Sequence, residues 1–364
     1  MLTKGDEYPL HQTPEPIAYA GTDRNFYDRY FFNGYSPDGS TFFGVAFGVY
    51  PHLNVADAHF TVIRDGTEYC LHASCELNME RLSLEVGPIR IDVIEPLKVL
   101  RVIVSGHDGI SADITFTGRS FPIEEPRFVH RYGPRTFMDY TRMTQNGHYS
   151  GWIEVDGKRE QLAEGTAGTR DRSWGIRPVG TSDAQPHPGG LVPAFFWQWT
   201  PLNFANRSMF FHINANTRGA AWNTRAVIVP DGAGPDEQIH IEDAEMAATL
   251  QPGTRWPSGG TLTLPTADGD LHVSFEPIGR FQMRGMGYTS PKWSHGLYHG
   301  PLEVEREDID LAACEPGQPQ NLHVQMICKV RIAETGEEGV GVFEQLVIGP
   351  YAPMGFKEMF DLAQ

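Results

Sequence analysis

Apolar and polar residues alternate with period two in several segments, and this alternation predicts half-buried β-strands. Residues 43–49 place large side chains on one face and Gly or Ala on the other. Residues 261–264 and 271–275 flank Asp268-Gly269-Asp270, a signal for a hairpin because Gly accepts positive φ. The longest alternating face consists of Leu322, Val324, Met326, Cys328, Val330 and Ile332. We therefore expect a mainly β protein, built as an antiparallel sandwich or barrel.

Helical periodicity is scarce, and only residues 352–362 predict a short helix at the C-terminus. No glycine fingerprint follows a strand and opens a helix, which argues against a nucleotide-binding α/β domain. Gly and Pro number 39 and 27, which indicates many turns between short strands.

Turn residues crowd together in residues 119–134 and again in residues 181–193. Between these segments, residues 145–160 predict a hairpin with a tight Asp156-Gly157 turn. We therefore predict an N-terminal β domain over residues 1–145 and a second β domain over residues 146–364, which carries most of the tryptophans.

Charge narrows the range of partners. The chain has 364 residues with 29 basic and 46 acidic side chains, a net charge of −17, so we expect neither nucleic acid nor an anionic membrane as partner.

No apolar run is long enough to span a bilayer, and the N-terminus lacks a signal-sequence pattern. The four cysteines have no C-x-x-C spacing, which favours reduced thiols and a cytoplasmic location. The oligomeric state stays open, with a homodimer as one option.

The segment 165–177 concentrates charge around a tryptophan. It holds Arg170, Asp171, Arg172, Trp174 and Arg177, punctuated by glycines. We expect a half-buried site in which Asp171 is paired with arginine and covered by Trp174. On a regular strand Asp171 and Ser173 share one face, and Arg170, Arg172 and Trp174 share the other. The segment is either a structural junction or part of an active site.

This segment resembles the Arg-Asp-x-Ser-Trp-Gly-x-Arg signature of double-lipocalin proteins related to carotenoid hydratases, tocopherol cyclase-like and hydroxyneurosporene synthase-like proteins. Residues 95–97, 109–113 and 339–345 add to the resemblance. The resemblance implies two lipocalin-like β domains around a hydrophobic ligand. It also implies hydration, dehydration, cyclisation or ring closure without a redox cofactor.

Glu344 is a second candidate for chemistry because of its position in the alternation. It shares a strand face with the aliphatic residues 340, 342, 346 and 348. Loss of hydration on an apolar face raises the pKa of a carboxyl group, and a neutral acid in an oily cavity can protonate an alkene or a leaving hydroxyl. The alternatives are that Glu344 meets an arginine, or that a bulge reverses its direction.

Histidine and tyrosine supply further acid–base candidates, namely His130, His295, and Tyr140 or Tyr149. His295 and His299 have the spacing of a metal pair, but that spacing aligns side chains only on a helix, and the glycines nearby disfavour one. No His-Glu-x-x-His pattern occurs, so we expect neither a metal nor another cofactor.

Aromatic residues are the candidates for binding a substrate. Wide aromatic cavities with a few polar groups are typical of β-barrels that hold apolar ligands. The same residues can equally serve as core packing. The predicted substrate-binding residues are Trp174, Trp197, Trp199, Phe211, Trp222, Trp293 and Tyr140.

Together these patterns lead to one predicted function. We expect a cofactor-independent acid–base lyase (a hydratase, dehydratase or cyclase, or a retro-aldol C–C lyase) that acts on a hydrophobic isoprenoid or aromatic molecule. Its proton-transfer and orienting residues are predicted to be Arg170, Asp171, Glu344, and His130 or His295. The alternative is a non-catalytic carrier, which needs the cavity but no perturbed carboxyl group.

Overall fold

The structure is a computed structural model that describes residue 2, residues 9–185 and residues 194–364. It is almost entirely antiparallel β, with one nearly closed barrel and one half-barrel sheet, so the predicted fold class is confirmed. Part of the predicted loop at residues 181–193 lies outside the described residues, from residue 186 onward. Among the described helices, none has the length and apolarity needed to cross a membrane.

The first sheet contains fourteen strands in the described part of the chain. The strands follow the order β21-β4-β3-β2-β1-β13-β11-β8-β7-β6-β5, and β9, β10 and β12 pair with the long β11. The strand bounds are β1 (Phe26–Tyr35), β2 (Phe42–Tyr50), β3 (Val55–Arg64), β4 (Thr67–Glu76), β5 (Glu85–Val86), β6 (Ile89–Glu95), β7 (Val99–His107), β8 (Ile110–Gly118), β9 (Ile123–Glu124), β10 (Phe128–Tyr132), β11 (Arg135–Val155), β12 (Lys158–Gln161), β13 (Ala167–Ile176) and β21 (Leu302–Asp310).

The second sheet contains nine strands within the described residues, in the order β17-β16-β15-β14-β23-β22-β20-β19-β18. Their bounds are β14 (Phe195–Asn203), β15 (Arg207–Ala215), β16 (Ala221–Pro230), β17 (Ile239–Ile241), β18 (Glu245–Leu250), β19 (Pro257–Thr266), β20 (Gly269–Gln282), β22 (Val324–Ile332) and β23 (Glu338–Ile348). The described 3₁₀ segments are Pro51–Leu53, Pro235–Glu237, Met283–Met286, Leu311–Ala313, Pro319–Asn321 and Ala352–Met354.

Both predicted hairpins form. Strands β19 and β20 pair with Leu264 opposite Leu271, and β11 turns into β12 at Asp156 and Gly157, which have φ of 50° and 81°. The predicted C-terminal helix is wrong, because only the 3₁₀ segment Ala352–Met354 forms. Gly355 with φ of 78° ends it, and Pro353 lacks the amide N–H that a longer helix needs.

The change from one sheet to the other follows β13. A domain boundary at residue 145 would cut β11, which pairs with both β8 and β13 of the first sheet. The chain enters the second sheet at β14, and β21 later returns to pair with β4. The two sheets therefore share the chain in a way that a single cut near residue 145 does not describe.

Apolar side chains fill the interior of the first sheet and also cover the junction between the sheets. The interior cluster is led by Phe32, Phe43, Phe47, Phe60 and Phe116, all at most 1% exposed. The other face of β2 carries small residues because the 3₁₀ segment Met283–Met286 lies against it. A Cβ on Gly44 would lie 2.8 Å from the Sδ of Met286. The interior of the first sheet is thus filled by packed side chains.

Candidate functional site

A cavity of about 680 Å³ lies between the two sheets. One wall comes from β1, β11 and β13 of the first sheet, and the facing wall from β14 and β23 of the second. The resemblance implies two β domains around a hydrophobic ligand, and the cavity opens at the junction of the two sheets. The predicted residues that line it are Asp171, Glu344, His295, Tyr140, Trp197 and Trp199.

Strand register builds the wall of the first sheet. Arg29 of β1 lies opposite Ser173 of β13, which lies opposite Arg142 of β11. Residues opposite each other in antiparallel strands share a face, so the two guanidinium groups flank β13 on one side of the sheet. Two residues along β13, Asp171 points to the same side with Phe31 as its neighbour on β1. This register places one carboxyl group beside two arginines.

Asp171 is buried without a close ion pair. Its side chain is 6% exposed, and its Oδ1 atom has no hydrogen-bond partner among the described residues. Burial raises the pKa of Asp171 to about 6, although the positive charges of Arg142 and Arg29 act in the opposite direction. The carboxyl group can therefore gain and lose a proton near neutral pH.

The arginines of the signature segment do not pair with Asp171. Arg170 donates from Nε to Gln145 Oε1 at 2.8 Å, and Arg172 donates to Asp28 on the opposite face of the sheet. Trp174 is 40% exposed and does not line the cavity. The expected pairing of Asp171 under a tryptophan lid is thus wrong, while the predicted alternation of faces along this strand is confirmed.

Glu344 faces the cavity from β23 with a full set of hydrogen bonds. Its Oε1 accepts from Trp197 Nε1 at 2.8 Å and from His323 Nε2 at 2.7 Å, and its Oε2 accepts from Gln325 Nε2 at 2.6 Å. Burial alone would raise the pKa of Glu344, but His323 and the other donors outweigh burial and hold it below its usual range. The expected raised pKa of Glu344 is therefore wrong. The predicted direction of its side chain, alongside Leu346, is confirmed.

Arg142 carries its own counter-charge. It donates from Nε and Nη2 to the two carboxylate oxygens of Glu125, at 2.8 and 2.6 Å, and it lies 4.6 Å from the ring centroid of Trp197. A bidentate pair of this kind holds the guanidinium in one orientation. Arg142 thus presents a fixed positive charge to the cavity, stacked on an aromatic ring of the facing sheet.

His295 holds Arg29 in place. Its Nδ1 accepts from Arg29 Nη1 at 2.7 Å, which assigns the ring proton to Nε2, where it is donated to the carbonyl oxygen of Met286 at 2.7 Å. Burial, with the nearby charge of Arg29, lowers the pKa of His295 well below its usual range. His295 is therefore a neutral positioning residue with both ring nitrogens occupied.

The remaining predicted residues lie away from the cavity. His130 stacks on Trp222 with ring centroids 4.9 Å apart, and Phe211 lies in the core of the second sheet. Trp293 stacks on His72 and donates from Nε1 to Glu305 at 2.8 Å. Together with Arg170 and Trp174, these residues are not brought to the candidate site.

Arg177 of the charged segment lines the cavity, although it is not among the predicted site residues, and four further lining residues escape sequence reasoning, namely Arg29, Arg142, Tyr288 and His323. Arg29 stands between Tyr27 and Phe31 on an alternating strand, which was a usable signal for a buried charge. His323 directly precedes strand β22, and the pattern of residues around it does not predict a site residue. Its Nδ1 is buried and, within the described part of the chain, has no hydrogen-bond partner.

In the part of the chain that the structure describes, no group of three or more His, Cys, Asp and Glu side chains is arranged so that it could hold a metal ion. The four cysteines are free thiols. The charged and polar groups that line the cavity include Asp171, the His323–Glu344 pair and several arginines.

Several solved structures share this architecture of two lipocalin-like β units. A protein of Nitrosomonas europaea, provisionally named AttH, matches with a TM-score of 0.53 and 11% identity over 93% of this chain and 98% of its own. CghA, crystallised with Sch210972, matches with a TM-score of 0.52 and 12% identity over 89% of each chain. Kievitone hydratase from Nectria haematococca has a TM-score of 0.48 at 12% identity, covering 91% of this chain and 92% of its own.

The first two matches, with TM-scores above 0.5, show the fold, and identities this low leave the activity open. The chain belongs to a protein family described as "Family of unknown function (DUF8625)", which matches residues 2–357. No curated protein sequence matches this chain.

Proposed function

We propose that this protein is a lyase that binds a hydrophobic small molecule in the cavity and uses Asp171 as its acid–base group. The observation that carries the proposal is the buried carboxyl group of Asp171, with a pKa of about 6 and an Oδ1 that lacks a hydrogen-bond partner among the described residues. General acid–base catalysis is most efficient when the pKa of the group lies near the working pH.

Apolar contacts supply the binding of the substrate. Trp197, Trp199, Phe31, Leu346 and Ile348 all contribute to the cavity, whose volume suits a molecule of several rings or isoprene units. CghA, which has a similar fold, was crystallised with Sch210972, and this supports a small molecule as the ligand here. A flat aromatic or isoprenoid skeleton fits this lining best.

The charged residues divide the chemical work. Asp171 removes a proton from the substrate or returns one, and Arg29 and Arg142 stabilise negative charge that builds on a substrate oxygen. His323 is the second proton-transfer residue in this proposal, since Glu344 holds its Nε2–H and leaves Nδ1 without a partner among the described residues. Glu344 thus acts as the positioning residue for His323.

Proton transfers of this kind suffice to add or remove water, to close a ring, or to cleave a C–C bond in the retro-aldol sense. The proposed reaction therefore calls for no redox cofactor. The cytoplasmic location and the oligomeric state stay predictions.

The test is a substrate screen with a matched pair of variants. Wild type, Asp171→Asn and the control Asp139→Asn are incubated with isoprenoids and phenolic dimers, and mass spectrometry follows the gain or loss of water or formaldehyde. Asp139 lies on β11 and accepts from Arg127 at 2.6 Å, outside the cavity lining. We expect turnover by wild type and Asp139→Asn and its loss in Asp171→Asn. Saturable quenching of tryptophan fluorescence with unchanged ligand mass would instead identify a carrier.

A further inference from the structure

We propose that the cavity selects substrates that bear a carboxylate, and that Arg29 and Arg177 bind this group beside the ring of Tyr288. The inference rests on the proposed function of the cavity and adds the chemical class of its substrate. It follows from the balance of charges around the cavity.

Arg29 is a buried cation that lacks a carboxylate partner. It is 3% exposed, and its Nε atom has no acceptor among the described residues. Its one described hydrogen bond goes to neutral His295, which cannot offset the charge. No carboxylate oxygen of the described residues lies within 4.0 Å of its guanidinium nitrogens, Asp171 included. A buried cation in such surroundings gains free energy from an anionic partner.

Arg177 adds a second cation at the same place. Its guanidinium carbon lies 5.7 Å from the ring centroid of Tyr288, and that of Arg29 lies 4.8 Å from the same centroid. Both arginines also lie over Tyr27, at 5.1 Å for Arg177 and 5.7 Å for Arg29. In the part of the chain that the structure describes, Arg177 has no ion pair and no hydrogen-bond acceptor for its side chain. The two guanidinium groups therefore flank one tyrosine ring at the cavity wall.

The other arginines of the cavity already have partners. Arg142 forms its bidentate pair with Glu125, and Arg24 and Arg135 both pair with Asp183. Among the carboxyl groups that line the cavity, Glu344 already accepts three hydrogen bonds from neighbouring side chains. Asp57 lies near both Arg29 and Arg177, and Asp171 lies near Arg29, but neither carboxyl group forms an ion pair with them among the described residues. The positive charge without a direct partner is thus concentrated at Arg29 and Arg177, and the planar fork of arginine suits a carboxylate.

A bound carboxylate would also fix the orientation of the substrate. With the acid group at Arg29 and Arg177, the apolar body extends along Trp197 and Leu346 on the facing wall. The rigid anchor at one end and the apolar wall at the other restrict the bond that Asp171 can reach. This arrangement makes the two arginines determinants of specificity.

The test compares aromatic acids with their primary amides, which have nearly the same shape and no charge. Cinnamate is paired with cinnamamide and 2-naphthoate with 2-naphthamide, and affinities are measured at pH 8 by tryptophan quenching and calorimetry. The proteins are wild type, Arg177→Gln and Arg135→Gln. The control, Arg135→Gln, removes the same charge from the same cavity at a position already paired with Asp183.

We expect wild type and Arg135→Gln to prefer each acid over its amide by about tenfold or more, since two charge-assisted contacts are gained. Arg177→Gln should lose most of this preference while it keeps the affinity for the amide, which also shows that the variant is folded. Equal affinity of acid and amide for wild type, or binding of neither, would overturn the inference. Turnover of neutral compounds in the mass-spectrometric screen would then leave the proposed function standing, whereas acid binding without any turnover would remove that function alone.

Discussion

Replacement of Asp171 by Asn should stabilise the folded protein at alkaline pH. The ordinary pKa of the carboxyl group is 3.8, and burial raises it to about 6 in the fold. A difference of this size costs the ionised folded protein about 3 kcal/mol, at 1.36 kcal/mol for each pH unit. Asn keeps the shape of the side chain and removes the charge that creates this cost.

The effect has a definite pH dependence. Because the folded state holds the proton of Asp171 more tightly than the unfolded state, the contribution to stability is greatest below pH 4 and falls as pH rises through about 6. The advantage of Asp171→Asn over wild type should therefore be about 3 kcal/mol at pH 8 and about half as much at pH 5.

Urea unfolding at both pH values measures this difference from the midpoints at constant m. The control is Asp139→Asn, which makes the same charge change at an ion-paired position and should lose a little stability. If Asp171→Asn were less stable than wild type by the same amount at both pH values, the carboxylate would be well compensated in the fold. This result would contradict the proposed acid–base role of Asp171. Higher stability with abolished turnover is the pattern expected of a strained functional group.

Further substitutions separate the roles of other residues. Glu344→Gln should destabilise the protein by about 2–4 kcal/mol, because a carboxylate that accepts from His323 and two other donors is lost. In urea unfolding, the change in the free energy of unfolding should therefore have the opposite sign to that of Asp171→Asn. Glu68 is buried, and burial raises its pKa to about 8. Glu68→Gln should therefore raise the urea midpoint at pH 9 and change it little at pH 5. An equal rise of the midpoint at both pH values would contradict this prediction. Trp174→Phe should leave ligand affinity unchanged, whereas Trp199→Phe, in the cavity wall, should weaken binding and reduce quenching.

Strand patterns in the sequence predict the direction of side chains well. Alternation along β13 correctly assigns Asp171 to one face and Arg170 and Arg172 to the other, because a regular strand leaves a side chain only two directions. The same rule places Glu344 in the cavity beside Leu346. Local rules succeed here because a one-residue slip would reverse every side chain of a strand.

The partners of those side chains are not predictable from local pattern. Glu344 has a lowered pKa because His323 and Gln325 reach it from the start of β22, which pairs with β23. Asp171 is influenced by the charges of Arg142 and Arg29 and not paired with its sequence neighbours, because β11 and β1 lie on either side of β13 in the sheet. Both outcomes depend on which strands pair, and a pattern of period two carries no information about pairing.

The position of the cavity is equally a matter of tertiary packing. Aromatic residues are abundant along the chain, but those of the first barrel fill its interior while Trp197 and Trp199 of β14 face the junction. Only the sheet order, with β14 opposed to β11 and β13, decides which aromatic residues form a wall and which form a core.

The two carboxyl groups of the cavity have environments that push their pKa values apart, which is how proteins assign acid–base roles to like residues. Burial raises the pKa of Asp171, whose Oδ1 has no hydrogen-bond partner among the described residues, whereas His323 and two further donors lower the pKa of Glu344. In the proposed function, the segment around Asp171 has both a structural and a chemical role. Its arginines face away and tie β13 to Gln145 and Asp28, while the aspartate between them enters the cavity. Loss of either arginine should therefore reduce stability first, and loss of Asp171 should reduce activity while the fold gains stability.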